Sequence, residues 1–286
     1  MNYTTLIEAA DLAKELAALH DSAQLVVVDC RYDLLAPQAG AAAYARGHIP
    51  GAFYAHLDHD LAQPQTAASG RHPLPDVDRF VSTLRGWGIG AETQVVVYDD
   101  SNGATAGRLW WMLRWLGHSR VAVLNGGWQQ WLARSGPQND LLPQRAAGAF
   151  SARADRKQWV ATDEISVMIG RPELLLIDAR ATDRFSGRSE PIDPIAGHVP
   201  GARSHPLALN LDTDGRFLAP QELRRRWLQT LGAASPASAI AMCGSGVSAC
   251  HNLIALELAG LGGARLYPGS WSEWIRDRAR PIATSP

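Results

Sequence analysis

The sequence predicts an α/β protein of two duplicated domains, each a parallel sheet with helices on both faces. Three observations carry that expectation. The same order of landmarks appears twice, offset by about 145 residues, which is far too long for a solenoid repeat and means domain duplication. Short, uniformly apolar strands alternate with helix-length runs, as a sheet buried on both sides requires. The chain has 286 residues and is 46% hydrophobic, enough for two cores of ordinary domain size.

The elements follow in order. Leu25-Val26-Val27-Val28 reads as a strand and ends in Asp29-Cys30-Arg31; Leu174-Leu175-Leu176-Ile177 ends in Asp178-Ala179-Arg180. Nineteen residues after Asp29 stands His48, in Gly47-His48-Ile49-Pro50-Gly51-Ala52. Twenty residues after Asp178 stands His198, in Gly197-His198-Val199-Pro200-Gly201-Ala202. A further strand follows in each half, Val95-Val96-Val97-Tyr98 and Ala239-Ile240-Ala241-Met242. Each leads through a short Gly/Ser loop into a helical run, Leu109 to Leu113 and Leu253 to Leu258. Both halves close alike, Gly126-Gly127-Trp128 with Trp131 matching Gly269-Ser270-Trp271 with Trp274. Pro137, Asn139, Pro143 and Gln144 interrupt any periodicity, so the expected division is a domain over 1–134, a linker over 135–147 and a second domain over 148–286.

Composition removes several function classes. The formal net charge is −1, with no basic patch for nucleic acid and no like-charge tail. No apolar stretch approaches the roughly 20 residues of a membrane helix. The first residues carry Glu8, Asp11, Lys14 and Glu15 rather than a basic start and an apolar core. A cytoplasmic protein without membrane or nucleic-acid partners is expected. The cysteines are Cys30, Cys243 and Cys250; three cannot all pair, and none belongs to a cluster with zinc-ligand spacing. A reducing compartment fits, and there a lone cysteine on a glycine-rich turn is a candidate nucleophile.

That turn is Cys243-Gly244-Ser245-Gly246-Val247-Ser248, between a strand and a helix. Such a turn points backbone N–H groups inward, and the helix adds its positive end. A thiolate at its head is stabilised by fixed dipoles, with little bulk around it. The matching turn in the first half, Asp99-Asp100-Ser101-Asn102-Gly103-Ala104, has no cysteine. One copy therefore carries the nucleophile, and the other is expected to be non-catalytic.

These pieces together, in order and duplicated, resemble the tandem rhodanese family across essentially the whole chain: the twin Asp-x-Arg strand ends, the twin Gly-His-(Ile/Val)-Pro-Gly-Ala motifs, the Gly-x-Trp-x-x-Trp closures and one cysteine loop in the second half. The loop is similar to that of the 3-mercaptopyruvate sulfurtransferase type. The thiosulfate type usually has Arg and Lys after the cysteine, where Gly244 and Ser245 stand here. Gly70-Arg71-His72-Pro73-Leu74-Pro75 instead resembles a segment of bacterial thiosulfate-type enzymes.

The resemblance implies roles residue by residue. Cys243 carries the sulfur, and Ser245 works with His72 and Asp58, both from the first domain, to manage protons. Gly244, Gly246, Val247 and Ser248 line the donor. Arg184 grips the substrate carboxylate, as a fork-shaped guanidinium can. The family's second arginine follows a Glu-Pro that here is Glu190-Pro191, but this chain reads Ile192-Asp193-Pro194, and Arg188 is the expected substitute. His48, His198, Asp29, Arg31, Asp178 and Arg180 occur in both halves and are expected to be scaffold; Cys30 and Cys250 are expected to be packing residues.

The implied reaction is a two-step exchange without metal or organic cofactor. Cys243 takes sulfur from 3-mercaptopyruvate, or alternatively thiosulfate, and passes it to a thiol, thioredoxin-like or cyanide acceptor. A phosphatase is the first rival, but it needs an arginine six positions after the cysteine, and that position is Ala249. A non-enzymatic sulfur-binding or sensor protein is the second, and the intact loop argues against it.

Overall fold

The computed structural model describes residues 2–18 and 24–285, and the chain divides into two compact units. The first comprises residues 1–63, 74–155 and 214–216; the second comprises 64–73, 156–213 and 217–286. Residues 64–73, which chain order puts in the first half, thus belong with the cysteine-bearing unit.

In the first unit five strands form one parallel sheet: β1 (Leu6–Ile7), β2 (Leu25–Asp29), β3 (Phe53–Tyr54), β4 (Gln94–Tyr98) and β5 (Val121–Leu124), ordered β1-β5-β4-β2-β3. Every residue of β2, β4 and β5 is buried, the reason these runs are apolar without alternation. The helices α1 (Ala9–Ala18), α2 (Ala39–Arg46), α3 (Val77–Gly86), α4 (Ala106–Trp115) and α5 (Gly127–Ala133) flank the sheet. The Asp76 side chain starts α3 by accepting from Arg79 N at 3.0 Å. Residues beyond α5 stay on this unit: His48 and Asn139 exchange backbone hydrogen bonds, and Gly148 and Asp155 donate to the carbonyls of Arg85 and Trp115.

The second unit repeats the plan with four parallel strands: β6 (Leu175–Asp178), β7 (Arg203–Ser204), β8 (Ala239–Met242) and β9 (Arg265–Leu266), ordered β7-β6-β8-β9. Its helices are α6 (Thr162–Met168), α7 (Thr182–Ser186), α8 (Pro220–Leu231), α9 (Ala249–Leu258) and α10 (Ser270–Trp274). The place that β1 fills in the first sheet is taken by a single parallel bridge, Trp159 to Leu266. Among the described residues no helix is long and apolar enough to cross a membrane.

The repeated motifs do the same physical work in each unit. The Arg31 side chain donates from Nε and Nη2 to the Asp29 carboxylate and from Nη2 to Gly47 O at 2.7 Å. Arg180 does so toward Asp178 and Gly197 O, also at 2.7 Å. Each guanidinium lies 4.7 Å above a tryptophan ring, Trp128 or Trp271. His48 stacks on Tyr44 and hydrogen-bonds its carbonyl; His198 does the same with Phe185. Trp131 and Trp274 each donate from the indole to a proline carbonyl, Pro137 and Pro281. Buried donors are thus satisfied where each sheet's strand ends meet the loops.

Candidate active site

The site begins where β8 ends. Cys243 follows Met242 directly and is 1% exposed. Its amide donates to Ser270 Oγ at 3.0 Å, and that hydroxyl donates to Tyr267 O at 2.8 Å. Its carbonyl accepts from Trp271 N at 3.0 Å, and Gly244 O accepts from Ser272 N at 2.8 Å. The cysteine backbone is therefore anchored to the turn that opens α10. The loop then climbs through Gly244-Ser245-Gly246-Val247-Ser248 into α9. Gly246 sits at φ +74°, and a Cβ there would lie 2.3 Å from Pro268 O, so the turn needs glycine at that place.

The segment 64–73 docks onto the same turn. Arg71 N donates to Ser272 Oγ at 3.0 Å, Gly70 N donates to Glu273 Oε2 at 3.2 Å, and Arg276 Nε donates to Ser69 O at 3.2 Å. This docking brings His72 Nδ1 to 2.8 Å from Ser245 Oγ, with both residues buried. Two of the residues expected to manage protons are thus in direct contact. Asp58 lies in the first unit, where its carboxylate accepts from Tyr32 Oη at 2.9 Å and its amide donates to His56 Nδ1 at 3.2 Å.

Two guanidiniums face Gly244. A Cβ built on that glycine would meet Arg71 Nη2 at 2.9 Å, Arg184 Nη2 at 3.5 Å and Arg184 Nη1 at 3.7 Å. Arg184 rises from α7 and is held by Glu190, with Nε donating to Oε1 and Oε2 at 2.9 and 3.0 Å. Burial alone would push the Glu190 carboxyl up; the Arg184 side chain and the Asp193 and Ile192 amides outweigh it and hold the group below its ordinary value. Arg188, the expected second cation, is 57% exposed and paired with Asp183 at 2.7 Å. The second guanidinium beside the loop belongs to Arg71 instead. The signal for it was the Gly70-Arg71-His72-Pro73 segment itself, whose arginine sits one residue before the candidate histidine. A cavity of about 210 Å³ lies against Arg71, lined also by Asp193, Ser272 and Arg276 among others.

The other cysteines are placed as packing residues. Cys250 lies in α9, fully buried, with Sγ 3.5 Å from Gly246 O. Burial and the neighbouring Asp29 carboxylate push the Cys30 thiol well up, which disfavours the thiolate a nucleophile needs.

Residues 12–134 and 161–277 each match the model of the rhodanese-like domain. The chain belongs to the rhodanese family. Rhodanese-family relatives match it over nearly its full length. A Pseudomonas aeruginosa protein named a probable 3-mercaptopyruvate sulfurtransferase is 45% identical, covering 95% of this chain and 96% of that protein. A thiosulfate sulfurtransferase of Rattus norvegicus is 30% identical, covering 98% and 94%. Among solved structures, the 3-mercaptopyruvate sulfurtransferase from Leishmania major superposes with a TM-score of 0.82 at 33% identity, covering 95% of this chain and 74% of that one. These rhodanese relatives carry both donor names, 3-mercaptopyruvate sulfurtransferase and thiosulfate sulfurtransferase.

Proposed function

We propose that this rhodanese is a sulfurtransferase that carries sulfur as a persulfide on Cys243 and takes it preferentially from 3-mercaptopyruvate. The observation that carries the reading is the contact of His72 with Ser245 on the cysteine loop. Mercaptopyruvate needs such a pair, and thiosulfate does not. In the first half-reaction the Cys243 thiolate attacks the donor's thiol sulfur. The carbon–sulfur bond breaks, its electron pair leaves as the pyruvate enolate, and Cys243 holds a persulfide. The enolate then needs one proton, which the hydroxyl of Ser245 delivers and His72 replaces. In the second half-reaction an acceptor thiolate or cyanide attacks the outer sulfur and the Cys243 thiolate returns. Arg184 and Arg71 answer the donor carboxylate beside Gly244.

The name of the Pseudomonas relative and the neutral residues Gly244 and Ser245 support the same donor. One observation favours the second reading, thiosulfate: two guanidiniums, not one, stand at Gly244. Comparing kcat/KM for the two donors with a common acceptor decides between them. The account expects mercaptopyruvate to win. It also expects Ser245→Ala to lower mercaptopyruvate turnover by about tenfold or more, the scale of lost acid–base assistance, with thiosulfate turnover nearly unchanged. Equal losses with both donors would remove the proton role.

A further inference from the structure

The two guanidiniums at Gly244 share one counter-ion. Asp193 Oδ1 accepts from Arg71 Nη1, and its Oδ2 accepts from Arg184 Nη2 at 3.0 Å. The Asp193 side chain is only 3% exposed. Its place is fixed from its own backbone: the amides of Ile192 and Asp193 both donate to Glu190 Oε1, at 3.1 and 3.0 Å, and Pro194 restricts the residue before it. Arg71 Nε is buried without a hydrogen-bond partner among the described residues, so Asp193 and the loop face take what this guanidinium offers.

We propose that Asp193 is a specificity residue that sets the charge of the donor this site accepts. The proposal rests on the sulfurtransferase reading above. One ion-pair network joins three guanidiniums, Arg71, Arg180 and Arg184, to three carboxylates, Asp178, Glu190 and Asp193. These six charges cancel, and of the three cations Arg71 and Arg184 face Gly244. Asp178 and Glu190 are committed to holding Arg180 and Arg184 in place. Asp193 is the carboxylate that touches both loop-facing cations. A mercaptopyruvate-like donor brings one negative charge, and a thiosulfate-like donor brings two. The repulsion from Asp193 acts on both, and acts twice as strongly on the dianion. Buried as it is, this charge is little screened by salt. The carboxylate thus lets the arginines orient a monoanionic 2-oxo thiol while withholding the surplus positive potential that a dianion requires.

The test is Asp193→Asn in the full-length protein, which keeps the side-chain shape and removes the charge. Its readout is the ratio of kcat/KM for thiosulfate to that for mercaptopyruvate, since a merely structural loss would lower both alike. The ratio should rise by about tenfold, the effect of one buried charge near the site, and Arg71→Gln alone should lower it by a similar factor. Should Asp193→Asn not fold, Asp193→Ser, which also removes the charge, carries the test. A ratio within about twofold of wild type in the variants that fold overturns the role of Asp193, provided both donors load Cys243 of the wild type with one sulfur by intact-mass spectrometry. Loading by neither donor instead sinks the sulfurtransferase reading, and this inference with it.

Discussion

The loop after β4 and the loop after β8 are the same device with different residues at the head. Asp29 pairs with Tyr98 in the first sheet, and Asp178 pairs with Met242 in the second, so Asp99 stands where Cys243 stands. The carbonyls of both head residues accept from a tryptophan amide, Trp128 N at 2.8 Å and Trp271 N at 3.0 Å. In the first unit the Asp99 carboxylate fills its own cradle. Its oxygens accept from the amides of Ser101, Gly103, Thr105 and Ala106 at 2.8–2.9 Å, the last being the first residue of α4. In the first unit the turn is therefore an anion trap, four amides closing on one carboxylate. One unit satisfies the trap permanently with a carboxylate and gains a locked helix start. The other places a buried cysteine at the head.

That contrast is open to attack, and the largest effect is expected at the locked loop. Asp99→Ala leaves four amides without their charged acceptor, and should cost about 3 kcal/mol or more in stability, read from chemical denaturation. Sulfur transfer measured well below the melting point should stay within about threefold. A variant as stable as wild type would mean that water replaces the carboxylate at no cost and that the cradle reading is wrong.

A second difference lies one strand over. Ala55 and His205 hold matching places, their amides donating to Asp29 O and Asp178 O. His205 is fully buried, stacked 3.8 Å from Trp227, and hydrogen-bonded to Thr230 and Asn210. Burial lowers its pKa to about 4. A histidine that charges more readily when unfolded takes up protons on unfolding, so stability is complete above the unfolded value and falls as pH drops from about 6.5 toward 4. The slope should approach 1.4 kcal/mol per pH unit within that window, and His205→Gln should flatten it. An unchanged slope in the variant would move the acid sensitivity elsewhere.

The smallest effect concerns the residue that anchors each head. Gly127 and Ser270 occupy matching positions with φ of +58° and +54°. A Cβ on Gly127 would lie 2.3 Å from Asp99 O, whereas Ser270 tolerates its own side chain in this left-handed region and uses it to accept the Cys243 amide. Ser270→Ala should cost about 1–2 kcal/mol, the net worth of the two neutral hydrogen bonds the hydroxyl makes, to Cys243 N and Tyr267 O. A cost above about 4 kcal/mol would show that the hydroxyl supports more than these two groups.

Much of this was legible in the sequence, for identifiable reasons. Strands β2, β4, β6 and β8 are buried on both sides, so their residues are apolar in unbroken runs. The Asp-x-Arg, Gly-His and Trp motifs are visible because each serves buried hydrogen bonds that only those side chains make. The two-residue strands β1, β3, β7 and β9 were not foreseen, because edge pairing of that length leaves no pattern. Motifs alone point to Cys243, Ser245, His72 and Arg184, and the structure sets His72 against Ser245 and Arg184 beside Gly244. The Gly70-Arg71-His72-Pro73 segment signals Arg71 too, but its reach to Gly244 depends on the docking of residues 64–73 on α10, a contact about 200 residues apart in sequence. Arg188 is near Glu190-Pro191 in sequence, yet its charge is answered by Asp183 at the surface.

The central claim is that one sulfur travels on Cys243. Intact-mass spectrometry of the wild type and of Cys243→Ser, each treated with mercaptopyruvate and freed of excess donor, tests it most directly. The account predicts a gain of one sulfur atom on the wild type, removed by cyanide, and no gain on the variant. An equal gain on Cys243→Ser would contradict it and move the carrier to Cys30 or Cys250.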